Sequence, residues 1–330
     1  MALQVLLSCV AEDRPTYHAR VETLVGSARR LGGSLSRSPI IINMLQSADP
    51  AFVRRMENFD AEVRIVPRFD GSGTAYANKL RMLDLVDDRD DFDILLAVDC
   101  DIAVVEDPVS LLSSDAINVV PADLDPLTEK RWRDLLTGLD ITPGARSVRA
   151  GMTGRSMYPY FNSGVVAIPR ELCAELLAAW TQALRDVSGL WERHMNIVPR
   201  AKRVYTDQYA LMTALRRGLP WTVASRELNF ATHVALHGPG VYGLRPALLH
   251  YHDAVDEDGF LLRPRSMVAE AAAERVNHSR AQALGLSYHG LRARPLHSQV
   301  RRTIGGYAAT QMSGLAMWAR ECVSAGKHTA

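Results

Sequence analysis

The chain has 330 residues, of which 47% are hydrophobic and 23% are charged, and its formal net charge is +1. This is an ordinary globular composition, sufficient for one large domain with an appendage or for two modest domains. The near-neutral charge excludes an overall electrostatic field suited to nucleic acid, so we expect no nucleic-acid partner.

The first half of the chain alternates compact apolar runs with amphipathic runs. Strands are predicted over residues 3–10, 39–45, 61–69, 93–105 and 118–124, and helices over 17–31 and 77–86. The apolar runs are typical of strands that are covered on both faces. This rhythm predicts an α/β, Rossmann-like fold with a mixed, mostly parallel sheet flanked by helices.

The second half of the chain is less regular. The predicted elements are a strand over 161–168, a helix over 169–187, a helix over 207–218 and a strand over 247–252. Ala- and Arg-rich segments that favour helices follow from about residue 256. We therefore expect a main domain over 1–255 and a basic, mainly helical appendage over 256–330.

The N-terminal run MALQVLLSCVAED predicts a buried first strand rather than a signal peptide, because it has no basic n-region and only a short apolar stretch. No stretch of the sequence is long and apolar enough to span a bilayer. The four cysteines show no CxxC spacing, which argues against zinc and against a disulfide scaffold. We expect a cytoplasmic protein in a reducing compartment.

The predicted appendage is basic, with eight arginines and two acidic residues between positions 263 and 302. This charge suits an anionic surface, and a solvated basic face is the alternative. Residues 305–318 carry an apolar stripe that predicts either a helix lying on a membrane or packing against the main domain or a second subunit. Peripheral association with the cytoplasmic face of a membrane and dimerisation therefore both stay open.

The segment 95–102 contains the residue pattern that indicates a functional site. Four apolar residues precede Asp99 and Asp101, whose side chains would share one face of an extended strand. Two buried carboxylates need a counter-charge, which a divalent cation such as Mn²⁺ or Mg²⁺ supplies. Ligands of open α/β sheets also bind at the carboxyl ends of strands. The alternative is a strand end whose acids face water or cap a turn.

Other short motifs accompany this DxD pair in a fixed order. They are Lys79-Leu80, Tyr160 to Val165, Asp207-Gln208 and His250-Tyr251. Together with the DxD pair they resemble the retaining glycosyltransferases of family 8, the glycogenin- and galactosyltransferase-like enzymes. The resemblance spans residues 3–253. It implies the GT-A fold and a hexosyltransferase that uses a nucleotide-sugar donor, a UDP-sugar by resemblance, with Mn²⁺ or Mg²⁺.

The resemblance also implies a third metal ligand late in the chain. In that family the two DxD acids and a histidine of the HY segment coordinate Mn²⁺, and the matching residue here is His250. A packed or surface histidine is the alternative. His252 competes for the role, because a strand of period two would place both imidazoles on one face.

Three catalytic residues and one cationic donor contact are implied in the same way. Asn162 matches an asparagine near the donor sugar, with a turn residue as the alternative. Asp207 and Gln208 match a pair placed against the sugar hydroxyls and the reacting centre, although Asp207 would also serve as a helix N-cap. Lys79 matches a basic position that touches the donor, and an exposed helix lysine is its alternative.

The exit loop of the first strand, residues 11–17, would meet the nucleotide base. Related enzymes use an acidic residue and an aromatic residue there, so we predict that Asp13 pairs with the base and that Tyr17 stacks on it. The three residues 14–16 depart from the commonest spacing of the family, which leaves the base identity open.

The implied reaction breaks the bond between the anomeric carbon and the diphosphate and passes the hexose to an acceptor hydroxyl. Retention follows from the resemblance, and the departing phosphate then accepts the hydroxyl proton. An inverting enzyme would instead need a carboxylate base, for which Asp207, Asp253 and Asp256 are candidates.

Four other functions compete with this prediction. Haloacid-dehalogenase-like phosphatases also carry DxD, but they usually have Thr or Val where Ala103 stands, and their strand comes early. A nucleotidyltransferase would need a Gly-rich loop after the first strand, which residues 8–17 lack. Zinc binding by the later histidines lacks an HExxH or finger spacing. A catalytically inactive nucleotide-sugar-binding protein is the fourth.

Overall fold

The computed structural model describes residues 3–69, 75–84, 89–151, 153–193, 198–233, 243–252, 254–256 and 258–293. The elements below belong to one unit that ends at Gly290. Among the helices of the described segments, none combines the length and the apolar character needed to cross a bilayer. The predicted apolar segment 305–318 lies outside the described residues.

Strands and helices alternate along the described chain. The strands are β1 (Val5–Glu12), β2 (Ile40–Leu45), β3 (Glu62–Val66), β4 (Ile94–Asp99), β5 (Ile102–Val104), β6 (Ile117–Pro121), β7 (Val148–Arg149), β8 (Ser156–Met157), β9 (Phe161–Pro169), β10 (Trp221–Val223), β11 (Phe230–Ala231) and β12 (Leu248–His250). The α-helices are α1 (Pro15–Leu31), α2 (Pro50–Glu57), α3 (Glu129–Gly138), α4 (Cys173–Arg193), α5 (Thr206–Arg216) and α6 (Met267–Leu284). The 3-10 helices are Gly33–Arg37, Ala75–Met82, Val109–Leu111, Arg170–Leu172, Arg200–Tyr205 and Arg226–Leu228.

Seven strands form the main sheet in the order β10-β6-β9-β4-β1-β2-β3. Strand β9 runs antiparallel to both of its neighbours, and the other neighbouring pairs are parallel. Strands β11, β12 and β5 form a small second sheet, and β7 pairs with β8. The predicted mixed, mostly parallel sheet flanked by helices is confirmed.

The central strands β1 and β4 are buried on both faces, as their continuous apolar runs predict. Leu6 and Leu95 pack into the layer that contains α4 and α5, whereas Leu7 and Leu96 pack into the layer that contains α1. Each fully buried leucine contributes about 2 kcal/mol of transfer free energy. This burial fixes β1 and β4 side by side and so fixes the position of the residues that follow them.

The predicted single strand over 93–105 is wrong in one respect that matters for the site. It breaks into β4 and β5 at a turn formed by Cys100 and Asp101, and β5 leaves the main sheet to pair with β12. Asp99 and Asp101 therefore do not share the face of one extended strand. They lie at a strand end and in the turn that follows it.

One helical prediction differs from the structure, and two helices were not predicted. The helix predicted over 77–86 is a 3-10 helix, Ala75–Met82, in the described chain. Helices α2 and α3 were not predicted, although α2 has Pro50 in its first turn and an Asp49 side chain that accepts hydrogen bonds from the backbone N–H groups of residues 51 and 52. Short helices of this kind leave a weak periodic pattern in the sequence.

Helix α6 follows the predicted main domain and packs against α1. Arg280 donates to Thr23 Oγ1 at 3.2 Å, and Asn277 exchanges hydrogen bonds with the backbone of Leu261 at 2.8 and 2.9 Å. A division of the chain at residues 255 and 256 stays a prediction.

Candidate active site and metal centre

The site lies where the main sheet changes direction. The chain goes from β1 outward to β2 and β3, and then returns to β4 on the other side of β1. In open α/β sheets the crevice at the carboxyl ends of two such strands is the usual ligand site. Asp99 is the last residue of β4 and is paired with Val10 of β1, so the DxD segment enters this crevice.

His250 reaches the same place from a distant part of the sequence. It ends β12, is paired with Ile102 of β5, and precedes Tyr251, whose N–H donates to the Asp101 carbonyl at 3.1 Å. The His250 Nε2 atom lies 3.4 Å from Asp101 Oδ1 and 4.0 Å from Asp99 Oδ2. The three potential ligand atoms all lie within 4.8 Å of one another, and no other such group of three occurs in the described segments.

This cluster fits a divalent cation. Two carboxylate oxygens and one imidazole nitrogen are donors that suit Mn²⁺ or Mg²⁺. Gly164 keeps the space between them open: a Cβ atom there would lie 2.6 Å from His250 Cε1, 2.9 Å from Asn162 Oδ1 and 3.0 Å from Asp99 Oδ2. The residues that surround the cluster thus leave room that any larger residue at position 164 would fill.

The charged side chains of the cluster lie beside side chains of opposite charge, which shift their pKa values. Burial raises the pKa of Asp99, and the Lys79 ammonium opposes that shift only in part. Burial also acts to raise the pKa of Asp101, but the facing His250 together with Arg20 and Lys79 outweighs it, and the pKa is lowered. The pKa of His250 is raised, because the Asp101 carboxylate outweighs the opposing effect of burial. The site thus favours a positive charge between these side chains.

Lys79 belongs to the site rather than to the surface. Its side chain is 14% exposed, and Nζ lies 2.8 Å from Asp99 Oδ2 and 3.2 Å from Asp207 Oδ2. Burial opposes the charge on Lys79, but these two carboxylates outweigh it and hold its pKa above the ordinary value. The alternative of an exposed helix lysine is wrong.

Asp207 is buried beneath the cluster in the first turn of α5. It is 2% exposed, and its Oδ2 accepts a hydrogen bond from Ser163 Oγ at 2.5 Å. The N-cap of α5 is Tyr205, so the alternative role of Asp207 as the N-cap is wrong. Gln208 follows in the same helix and is half-buried.

Asn162 lies in β9 beside the metal ligands. Its Oδ1 accepts the backbone N–H of Gly164 at 2.8 Å, next to an irregularity in the pairing of β6 with β9. Asn162 is therefore a residue of β9, and the alternative of a turn residue before that strand is wrong. Its contact with a donor sugar stays a prediction.

His252 lies beyond the end of strand β12, because β12 ends at His250 and His252 adopts a left-handed φ of 57°. Its ring stacks on the His250 ring at 3.9 Å with an interplanar angle of 4°, and His233 meets His252 edge-on at 4.3 Å. The two imidazoles thus lie side by side, but through a left-handed residue after the strand and not through a continuous period-two strand. The three-residue ligand cluster contains His250 and not His252.

The exit loop predicted over residues 11–17 is shorter in the structure, because β1 ends at Glu12 and α1 begins at Pro15: Asp13 lies in the loop and Tyr17 in the first turn of α1. Asp13 accepts hydrogen bonds from Ser47 Oγ at 2.8 Å and from the Asp49 N–H at 3.1 Å, and it contacts His18 Nε2 at 2.9 Å. These contacts, above all that of Ser47, lower the pKa of Asp13. The half-buried Tyr17 ring lies 5.3 Å from the guanidinium of Arg20. Base recognition by both residues stays a prediction.

Sequence reasoning missed two polar residues near the cluster. Asn229 Oδ1 lies 2.9 Å from His250 Nδ1. Asp123 follows β6, and burial raises its pKa to about 6 against the opposing effects of His250 and Arg226. The sequence carries no spacing that would have linked either residue to the DxD pair. Ser163, in contrast, lies inside a motif already singled out.

Comparisons with known proteins identify a matching family and a similar fold. Residues 22–218 match the family model of the Rhodobacterales glycosyltransferase domain. An active-site mutant of LgtC has a similar structure, with a TM-score of 0.50, 14% identity, and coverage of 84% of this chain and 96% of that one. The galactosyltransferase LgtC in complex with donor and acceptor sugar analogs gives a TM-score of 0.45 and 15% identity over 87% and 97% of the two chains.

No curated protein shows significant sequence similarity to the chain. The family model nevertheless covers more than half of the 330 residues, and the LgtC mutant structure shares the overall fold. These matches exclude the phosphatase and nucleotidyltransferase alternatives. The chain belongs to the Rhodobacterales glycosyltransferase domain family, and it is a glycosyltransferase with a GT-A fold that resembles family 8.

Proposed function

We propose that the protein transfers a hexose from a UDP-sugar to an acceptor hydroxyl with retention, and that Asp99, Asp101 and His250 hold the Mn²⁺ or Mg²⁺ ion that the reaction requires. The observation that carries the proposal is the convergence of these three side chains within 4.8 Å at the switch point of the sheet. A divalent ion at this position stabilises the negative charge that develops on a departing diphosphate.

The residues of the chain have separate roles in this proposal. Asp99 and Asp101 supply the two carboxylates, and Gly164 keeps the space beside them open. Lys79 Nζ, 2.8 Å from Asp99, adds a fixed positive charge that faces the leaving group. Asn162 contacts the donor sugar from β9, Gln208 contacts it from α5, and Asp13 and Tyr17 contact the nucleobase.

Retention is supported by the surroundings of the carboxylates that an inverting enzyme would use as a base. The Asp207 Oδ2 atom is already engaged by Ser163 at 2.5 Å and by Lys79 at 3.2 Å, and the residue is 2% exposed. Asp256 Oδ1 accepts the N–H groups of residues 258 and 260. Asp253 lies outside the described residues. In this proposal the departing phosphate accepts the proton of the acceptor hydroxyl, and Asp207 orients the reacting centre.

A donor screen tests the proposal. The full chain is incubated with Mn²⁺ and a panel of nucleotide sugars, and release of nucleoside diphosphate is measured. We expect UDP-glucose, UDP-galactose or an N-acetyl analogue to give a signal that a chelator abolishes. The Asp101→Asn variant should lose at least about 100-fold in rate, because one ligand charge is removed.

The matched control is Asp134→Asn, which removes an exposed carboxylate paired with Lys130 on α3 and should keep full activity. Turnover that is unchanged by the chelator or by Asp101→Asn contradicts the metal-dependent part of the proposal. Tight donor binding without any turnover would instead favour the inactive binding protein. The anomeric configuration of the product, read by NMR, then decides between retention and inversion.

A further inference from the structure

A small cavity lies beside Asn229, whose side chain contacts His250 of the proposed metal centre. Its volume is about 10 Å³, enough for one water molecule. Its walls include Val120, Pro121, Asp123, Gly151, Arg226 and Asn229. Three of these side chains are polar, and one of them, Asn229, contacts the proposed metal ligand His250 directly.

Asn229 is the wall residue that contacts the ligand. It is 6% exposed, and its Oδ1 lies 2.9 Å from His250 Nδ1. Its Nδ2 is buried and has no hydrogen-bond partner among the described residues. A buried amide of this kind costs free energy unless a partner is supplied, and a water molecule in the adjoining cavity is the available partner.

The contact selects one protonation arrangement of the imidazole. A carboxamide oxygen only accepts hydrogen bonds, so His250 Nδ1 must carry a hydrogen when it faces Asn229 Oδ1. The lone pair of the neutral ring then lies on Nε2, which is the atom that faces Asp101 at 3.4 Å and Asp99 at 4.0 Å. With the amide reversed, the hydrogen would lie on Nε2, between the ligand atoms, and exclude a cation.

We infer that Asn229 is the positioning residue of the metal centre: it holds His250 with Nε2 directed at a divalent cation, and one water molecule in the cavity holds Asn229. The inference rests on the metal site of the proposed function. Metal-bound histidines usually donate their other ring N–H to an acceptor of this kind, which fixes both tautomer and ring orientation. Asp123, which also lines the cavity, offers a carboxylate that can accept a hydrogen bond from such a water.

Mn²⁺ affinity of the full chain, measured without donor by the electron paramagnetic resonance signal of free Mn²⁺, tests this role. Asn229→Ala should bind Mn²⁺ about 10- to 100-fold more weakly, which is the usual effect of losing such a partner. Asn229→Asp should stay within about threefold of the wild type, because its carboxylate accepts the same Nδ1–H. Rescue by aspartate distinguishes positioning from packing.

Asn118→Ala is the matched control. Asn118 is also buried, at 3% exposure, but its amide donates to the carbonyls of residues 113 and 116 at the amino end of β6, away from the site. This variant should melt at a lower temperature and keep wild-type Mn²⁺ affinity. Equal affinity in Asn229→Ala, failure of Asn229→Asp to rescue, or an equal loss in Asn118→Ala overturns the inference.

A second measurement does not depend on the folding of any variant. In wild-type protein with ¹⁵N-labelled histidine and bound Mg²⁺, nitrogen shifts should show His250 with hydrogen on Nδ1, and the opposite tautomer overturns the inference. A crystal structure should show one water on Asn229 Nδ2, and an empty cavity overturns that part. Wild-type protein that binds neither cation overturns the metal site itself, and Asn229 positioning with it.

Discussion

Polar side chains at the carboxyl ends of β4 and β12 meet at distances of 3.4 and 4.0 Å, whereas those of the β1 exit loop meet at 2.8 to 3.1 Å. The first distances are longer than most hydrogen bonds, and the buried carboxylates there depend on positive charge, part of which comes from Lys79 Nζ at 2.8 Å from Asp99 Oδ2. In the second region the Asp13 carboxylate is already satisfied by its own chain. A gap between buried charged side chains, such as the one that Gly164 leaves open, is thus a better indication of ligand binding than residue type in a loop.

The largest expected effect comes from filling the space between the ligands. Gly164→Ala would place a Cβ atom 2.6 Å from His250 Cε1, so the imidazole must move. We expect turnover to fall about 100-fold, since displacements of this size near a reacting centre have that cost. Steady-state rates with Mn²⁺ and the donor found in the screen measure it.

Gly243→Ala is the matched control for this substitution, because a Cβ atom there would meet nothing within 4 Å. It should keep wild-type activity. If Gly164→Ala remained active, the space between the proposed ligands would not be needed for turnover. That result would contradict the difference drawn between the metal centre and the β1 exit loop.

A smaller effect is expected from removing the buried ammonium group of Lys79. Lys79→Met leaves Asp99 and Asp207 without the ammonium that lies 2.8 and 3.2 Å away. We expect the free energy of unfolding to fall by about 3 kcal/mol, the usual effect of leaving a buried charge unpaired. Urea unfolding of the metal-free protein measures it.

Lys130→Met is the control, since Lys130 pairs with Asp134 on the exposed face of α3 and its loss should cost less than about 1 kcal/mol. Equal losses in the two lysine variants would contradict the view that the region around Asp99 depends on compensating charge.

The smallest effect is expected in the β1 exit loop. Asp13→Ala removes the acceptor for Ser47 and for the Asp49 N–H, and it should lower the free energy of unfolding by about 1–2 kcal/mol. If the carboxylate serves mainly to hold this loop, the KM for the donor should change by less than about threefold. A tenfold rise in KM would instead support base recognition by Asp13.

The pH dependence of this stability difference sharpens the test. The pKa of Asp13 is lowered in the folded protein from its ordinary value of 3.8, foremost by the Ser47 hydrogen bond. A depressed carboxylate pKa stabilises the fold above pH 3.8, and that contribution is lost as the pH falls through the lower folded value. Unfolding curves of wild type and Asp13→Ala should therefore converge in acid, and a constant difference would point to another cause.

The sequence predicted the elements that carry long apolar runs, among them β1, β2, β4 and β9. It did not predict that the strand breaks after Asp99, because residues 102–104 are as apolar as β4 before them. Only the strand with which they pair distinguishes them from β4. That partner, β12, lies far along the chain, and a local pattern carries no information about such a pairing.

The candidate site, like the fold, was predicted only in part from the sequence. The DxD pair and His250 were found because their motifs occur in a known order, and the structure brings all three together. Asn229 could not be found in that way, since its role depends on a side chain 21 residues away across a loop. Contacts of this kind follow from the pairing of β11 with β12, which the sequence does not specify.

The pairing of β5 with β12 brings residues 99 and 250 together across roughly 150 residues of chain. A cation bound there acts as a reversible cross-link that closes this long loop. Cross-links that close long loops restrict the unfolded chain most. Its contribution grows with the free cation concentration by mass action. During synthesis, a cation could bridge these side chains only after position 250 has emerged and folded. The nascent chain is therefore without this cross-link for most of its synthesis.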